Sequence, residues 1–287
     1  MNYRQKLEKV IDYIGQHLDE DLTLEKLSEN FYISKFHFHR LFTAFTGLSL
    51  QQYIRWLRLK RAAHQLIVDK DQPIINIAIN AGFESHEAFS RAFKKSCGLS
   101  PNQHRHESNW SGWEQLPYCL PKRGENNMKV DTKNINKIRL AMVEHRGDPK
   151  LMAKNVDKLI SWAKAQTINL KPKPGEAFAI AYDDPKTTPA EKFRMDLGIK
   201  IPENFKLNGD VVEKYVPAGR YAVVMHKGSR EKLGDTIYPL YREWLPNSGE
   251  ELGDFPCILC YYNFDHEVAE TELLTECWLL LKESIAK

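Results

Sequence analysis

One pattern of residues occurs twice, 51 positions apart: Ser34-x3-Phe38-x-Arg40-x-Phe42-x4-Gly47-Leu48-Ser49 and Ser85-x3-Phe89-x-Arg91-x-Phe93-x4-Gly98-Leu99-Ser100. Seven identities in sixteen positions mark a duplication, so any fold assigned to one copy must suit the other. In each copy the serine is placed to cap a helix, and two phenylalanines four apart share its buried face. The arginine between them projects from a different face. Glycine, leucine and serine then end that helix and begin another. Each copy follows a second apolar-periodic stretch, Leu24, Leu27 and Phe31 in one and Ile75, Ala78 and Gly82 in the other, so both read as helix-turn-helix units. Phe31 stands where the second copy has Gly82, which leaves the first turn free to adopt another backbone conformation.

Between the copies, Ser49 to Asp69 reads as one helix. Leu50, Tyr53, Ile54 and Leu57 line one face of its first half, and Leu59, Ala62 and Leu66 a roughly opposite face of its second half. Arg55, Arg58, Lys60 and Arg61 fill much of the remaining surface. Roughly 21 residues at about 1.5 Å each span about 31 Å. Adjacent major-groove faces on one side of B-DNA lie about 34 Å apart, so such a helix can hold two recognition helices in successive grooves. A monomer then reads two half-sites, and the chain is expected to be a DNA-binding regulator.

These stretches resemble the DNA-binding domain of the AraC/XylS transcription regulators, most closely its MarA/Rob branch, over about Leu7 to Arg105. The resemblance rests on Leu22-Thr-Leu-Glu-Lys-Leu27, Ser34-Lys-Phe-His-Phe-His-Arg-Leu-Phe42, Tyr53-Ile-Arg55, Ala81-Gly-Phe-Glu-Ser85, Phe89-Ser-Arg-Ala-Phe-Lys94 and Gly98-Leu-Ser-Pro101. It implies base or backbone contacts to double-stranded DNA from Lys35, Phe36, His39 and Arg40 in the first recognition helix, and from His86, Glu87 and Arg91 in the second. Arg40 and Arg91 are the candidates for bidentate pairing with guanine. Lys35, His39 and His86 suit phosphate contacts equally well. Glu87 either accepts from cytosine or repels phosphate, and Phe36 either meets a thymine methyl or packs within the domain.

Residues 1–107 hold 15 lysines and arginines against 12 acids, and residues 128–287 hold 24 of each. The whole excess of +3 therefore sits in the DNA-like part, although so small a charge does not itself identify a nucleic-acid binder. Seven of the ten histidines lie there too, without the cysteine or carboxylate arrangement of a metal site. No cofactor or metal is expected. No run approaches 18 apolar residues and the N-terminus opens a charged helix, so a cytoplasmic location without membrane association is expected. The five scattered cysteines form no disulfide framework. Cys257-x-x-Cys260 lies in a β-like run that sends the two side chains to opposite faces, which favours buried thiols.

Residues 108–127, with their glycines, prolines and asparagines, read as a linker between domains 1–107 and 128–287, with Trp110 and Trp113 placed to pack on one of them. From Ile138 the second domain runs strand, helix, strand, strand, and repeats. Arg139-Leu-Ala-Met-Val-Glu-His145-x-Gly147 answers Arg220-Tyr-Ala-Val-Val-Met-His226-x-Gly228. The helix with Leu159 and Trp162 answers the one with Leu240 and Trp244; Phe178–Tyr182 and Phe193–Ile201 answer Ile258–Tyr262 and Leu273–Leu281. The expected architecture is thus an all-α double helix-turn-helix followed by a pseudo-twofold α+β domain on one antiparallel sheet, with a cleft where the halves meet.

The second domain is similar to the GyrI-like ligand-binding domains of Rob and of multidrug-sensing regulators. The residues that carry this are His145-Arg-Gly147, Tyr182-Asp-Asp-Pro185, Thr188-Pro189, Pro217-x-Gly219-Arg220-Tyr221, His226-Lys-Gly228 and Glu243-Trp-Leu-Pro246. In that family a last-strand acid among aromatic walls receives cationic lipophilic compounds, and the matching acid here is Glu276. Alternation puts Leu274, Glu276 and Trp278 on one face. A carboxylate beside rings holds a cation by charge and quadrupole together, and Trp278, Tyr182, Tyr221, Trp244 and Tyr262 are candidate walls. A carboxylate in so apolar a strand must be hydrated, paired or used for binding. The last segment lacks a counterpart of Arg194, so an asymmetric pocket is expected.

The two resemblances together imply a transcription activator that contacts RNA polymerase and responds to a small effector. Two other readings of the second domain stay open: a hydrolase of electrophilic toxins, with Glu276 as general base, and a protein-binding module.

Overall fold

The computed structural model describes residues 3–107, 110, 113, 128–168 and 175–283. Apart from Trp110 and Trp113, the expected linker 108–127 lies outside the described residues. Contacts divide these residues into two compact units, one of residues 3–32 and 45–113, the other of residues 33–44 and 128–283. No helix of the described residues is long and apolar enough to cross a membrane.

The chain begins with α1 (Tyr3–Gln16), α2 (Leu24–Asn30), α3 (Lys35–Thr46) and α4 (Leu50–Val68), followed by α5 (Ile74–Asn80), α6 (His86–Cys97) and α7 (Pro101–Glu107). In the first unit, α1 buries Tyr3, Leu7, Val10 and Ile14, an apolar stripe at helical spacing. Ser49 and Gln52 close a reciprocal capping box at the start of α4, and Ser100 and Gln103 repeat it at α7. Both preceding helices end at left-handed glycines, Gly47 at φ 73 and Gly98 at φ 83. The change of face expected along α4 is present: Leu50, Tyr53 and Ile54 are buried in its first half, and Leu59, Ala62, Ala63 and Leu66 in its second. The latter group forms a core with Ile77, Ala78, Ala81, Phe89 and Phe93. Trp113, 1% exposed, completes that core, and Trp110 packs against it.

The duplication departs from a single offset. α3 and α6 correspond at 51, but α2 and α5 correspond at 50: Thr23 and Pro73 precede them, Leu27 and Ile77 are buried in them, and Phe31 and Ala81 end them. The residue that answers Gly82 (φ 80) is therefore Tyr32 (φ 52), not Phe31. The first turn is one residue shorter and places a bulky side chain, 88% exposed, in the left-handed region that glycine occupies without strain. Ile75, expected on the inner face, is 41% exposed for the same reason.

The second unit carries an eight-stranded, wholly antiparallel sheet. Its strands are β1 (Asp131–Ile135), β2 (Ile138–Arg146), β3 (Ala177–Ala181), β4 (Arg194–Lys200), β5 (Val212–Val216), β6 (Gly219–Lys227), β7 (Cys257–Tyr261) and β8 (Leu274–Leu280), in spatial order β1-β6-β8-β7-β3-β4-β2-β5. The two strand-helix-strand-strand repeats meet at β3 and β7, where Ala179 lies opposite its own repeat counterpart Leu259; the pseudo-twofold axis passes there. β1 and β5 were not expected. Each adds to the other repeat, β1 on β6 and β5 on β2.

Between β2 and β3 the chain forms α8 (Met152–Ala165), which packs on β2 and β4. Its counterpart is broken into α9 (Gly234–Pro239), a π-turn at Leu240–Trp244 and α10 (Leu245–Ser248). Pro246 has no N–H for the carbonyl four residues back, so a regular helix cannot pass through it. One face of the sheet is filled by large residues, among them Leu140, Met142, Phe178, Ile180, Tyr221 and Trp278. On β3 the residues that alternate with Phe178 and Ile180 are all alanines, Ala177, Ala179 and Ala181. Small side chains there leave space on the face that carries the helices.

Candidate functional site

In α6, Phe89 and Phe93 are fully buried, whereas His86, Glu87, Arg91, Lys94 and Lys95 are exposed. The expected separation of arginine from the phenylalanine face holds in this copy. Ser85 caps the helix, its hydroxyl accepting from the Ala88 N–H at 3.1 Å. The carboxyl of Glu87 is held below its usual range by a backbone N–H and by the Ser85 hydroxyl, which ties it to the start of the helix. The basic face of α4 is partly spent on structure: Arg58 donates to the carbonyls of Leu18 and Glu20, and Arg61 grips Asp19 at 2.9 and 2.6 Å.

α3 has different surroundings. Residues 33–44 belong to the second unit, and only Lys35 of the four expected contact residues is exposed. Arg40 is 4% exposed; its guanidinium donates to the carbonyls of Asp183 at 3.0 Å and Ala181 at 3.3 Å. Its Nε is buried with no acceptor among the described residues. His39 lies 3.2 Å from the Thr187 hydroxyl, and the Phe36 ring is 6.0 Å from that of Tyr182. The Ser34 hydroxyl, expected to cap the helix, instead donates to Asp254 at 2.6 Å. His37, not among the expected contact residues, is fully buried rather than turned to solvent or phosphate, with its Nε2 donating to the Gly253 carbonyl at 3.0 Å and its Nδ1 accepting from Tyr241 at 2.8 Å. Burial pushes its pKa down to about 4, so the ring is neutral. The available signal was a histidine where the second copy has Ala88.

A cavity of about 690 Å³ opens on the helix-bearing face of the sheet, within the size range of small-molecule sites. Val156, Leu159, Ile160 and Ala163 of α8 form one wall, Ala177, Ala181, Leu197 and Leu259 the floor, and Leu233 and Ile237 the far side. Its charged lining consists of five carboxylates, Asp157, Asp183, Asp184, Glu231 and Asp265, against Arg40, Lys186 and Arg230. Asp183 is gripped by Arg194, Asp184 accepts from the Tyr238 hydroxyl, and Asp265 pairs with Arg230. Asp157 and Glu231 have no ion pair among the described residues.

None of the six expected ligand residues lines this cavity. Glu276, 5% exposed, lies on the opposite face of the sheet. It accepts from Lys133 at 2.8 Å and from the Trp278 indole at 2.8 Å. Burial, reinforced by the Glu276 charge, raises the Tyr262 phenol to about 12. Tyr221, its ring 5.9 Å from that of Trp278, donates to the Pro217 carbonyl. Tyr182 belongs to a separate cluster, donating to Asp196, which also accepts from Lys214. That cluster is the symmetry counterpart of Glu276, Lys133 and Tyr262. Of the three fates open to Glu276, the structure shows pairing; in both clusters the lysine comes from an exchanged strand and fastens it to the sheet. Trp244 sits half-buried in the π-turn.

The paired His-x-Gly motifs brace the turns after β2 and β6. His145 contacts the carbonyls of Gly147 and Asp148, and His226 that of Ser229. Cys257 and Cys260 are both buried, and burial raises the Cys260 thiol to about 12, which suits packing rather than thiolate chemistry.

Comparison with known proteins assigns both halves. Residues 128–282 match the GyrI-like small molecule binding domain, and residues 27–107 a helix-turn-helix domain. The probable transcriptional regulator YgiV of Escherichia coli K12 is 34% identical over 159 residues, which cover 54% of this chain and 98% of YgiV. The regulatory protein SoxS of Salmonella typhimurium LT2 is 32% identical over 106 residues, 37% of this chain and 98% of SoxS. The multiple antibiotic resistance protein MarA of the same strain is 36% identical over 99 residues, 34% of this chain and 77% of MarA.

Proposed function

We propose that this chain, a transcription regulator that belongs to the GyrI-like small-molecule-binding family and carries an AraC-type DNA-binding region, is an activator governed by a lipophilic cation bound between α8 and α9. The observation that carries the ligand assignment is the cavity itself. It lies over the alanines of β3, its walls are largely aliphatic, and its carboxylates outnumber its basic groups. An apolar body gains by burial there, at about 25 cal/mol per Å² removed from water, and a positive charge is favoured by the acidic rim. On the DNA side, His86, Glu87 and Arg91 are the exposed groups of α6 to be set against bases and phosphates, with Lys35, Phe36, His39 and Arg40 of α3 as their counterparts. Activation further requires contact with RNA polymerase, and the setting is the cytoplasm. The hydrolase reading draws little support from Glu276, whose carboxylate is engaged by Lys133 and Trp278.

Titration of the full chain with the cationic dye thioflavin T tests the site. Ile160→Trp, on a partly exposed cavity wall, is expected to weaken dye binding at least tenfold while the circular-dichroism melt stays within a few degrees. Glu276→Gln should leave dye affinity nearly unchanged. The reverse result, with loss on changing Glu276 and none on filling the cavity, would transfer the site to the opposite face of the sheet.

A further inference from the structure

The two recognition helices descend from one repeat, yet the structure gives them different employment. Arg91 of α6 is exposed, whereas Arg40 of α3 lies buried within the second unit and is held by the backbone carbonyls of Ala181 and Asp183. Three further polar groups of the same segment are engaged there: Ser34 by Asp254, His37 by Tyr241 and Gly253, and His39 by Thr187. A guanidinium reads a base edge only when it projects from its helix into the groove. In this arrangement Arg40 cannot do so.

We propose that the seating of α3 on the GyrI-like domain is an autoinhibitory contact, which must open before the chain reads its second half-site. This rests on reading α3 as a groove-entering helix. The contact is specific to the first copy, because it depends on His37 where the second copy has Ala88, and on partners more than 200 residues distant, Tyr241 and Gly253. It is also imperfect. The Nε of Arg40 is buried with no acceptor among the described residues, whereas a guanidinium released into the groove can use that donor on DNA. Because Arg40 also lines the ligand cavity, one side chain is shared by the docking contact and the effector site. A cation in the cavity would repel the guanidinium and favour opening, which gives ligand and DNA a common two-state element.

The test uses full-length protein and duplex DNA selected by that protein from a randomised pool. His37→Ala restores the residue of the second copy, and Tyr241→Phe removes one hydroxyl from the other side of the contact; neither residue is among the expected DNA contacts. Each is expected to tighten binding to selected DNA at least fivefold, with no change on non-specific DNA. Arg40→Ala added to His37→Ala is expected to abolish the gain. If both single variants bind as wild type does while Arg40→Ala still weakens selected DNA, the docking does not restrain α3 and the proposal fails. If Arg40→Ala has no effect in either background, α3 is not a reading helix and the premise fails instead. Melting curves of each variant separate a tighter complex from a misfolded chain, since unfolding can only reduce specific binding.

Discussion

Arg40 and Arg91 show how far identity of residue and local pattern determine a role. Both lie two positions after the first phenylalanine of the repeat, so both were readable as arginines projecting away from the phenylalanine face. The exposure of Arg91 bears this out in its copy. The burial of Arg40 was not legible, because its acceptors at positions 181 and 183 lie in another half of the chain and are backbone carbonyls, which leave no trace in side-chain pattern. Glu276 makes the same point in reverse: its need for a partner was legible, but Lys133 as that partner was not. Arg91→Ala is expected to weaken specific DNA binding about five- to 150-fold, the worth of one bidentate pair, while non-specific binding falls only slightly. Fluorescence anisotropy on selected and scrambled duplexes measures both. Equal losses on the two would assign Arg91 to phosphate.

Among the elements, those with strong periodicity and explicit caps were the most legible. The reversal of apolar face along α4, the capping serines and the left-handed glycines all follow from local sequence. The one-residue slip between α2 and α5 was hidden because a shorter turn preserves the spacing of everything after it, and Tyr32 occupies a conformation in which glycine is the usual guide. β1 and β5 escaped because they are short and largely polar outward, without the alternation that betrays an inner strand. Gly198 holds the pairing of β4 on β2. A Cβ there would lie 2.3 Å from the Ala141 carbonyl and 2.1 Å from the Met142 sulfur, and the carbonyl belongs to a paired strand that cannot give way. Gly198→Ala is therefore expected to destabilise the sheet by about 1–3 kcal/mol or more, read as an earlier thermal transition. An unchanged melt would mean that the two strands meet in another register.

For the whole molecule, the decisive element is α4. Its 19 residues span about 28 Å, close to the distance between successive major-groove faces, and its start is fixed by a capping box. Two-domain organisation and the duplicated sheet were legible because both domains repeat themselves in sequence. The place of the cavity was not, since it arises from three alanines on one strand and from helices contributed by different repeats. Hydroxyl-radical footprinting of the full-length His37→Ala chain, in which α3 is expected to be released, at saturation on pool-selected DNA tests the two-groove reading most directly. Two protected tracts are expected, centred about one helical turn, or 10–10.5 base pairs, apart. A single protected tract at saturation, or two separated by half a turn, would contradict it.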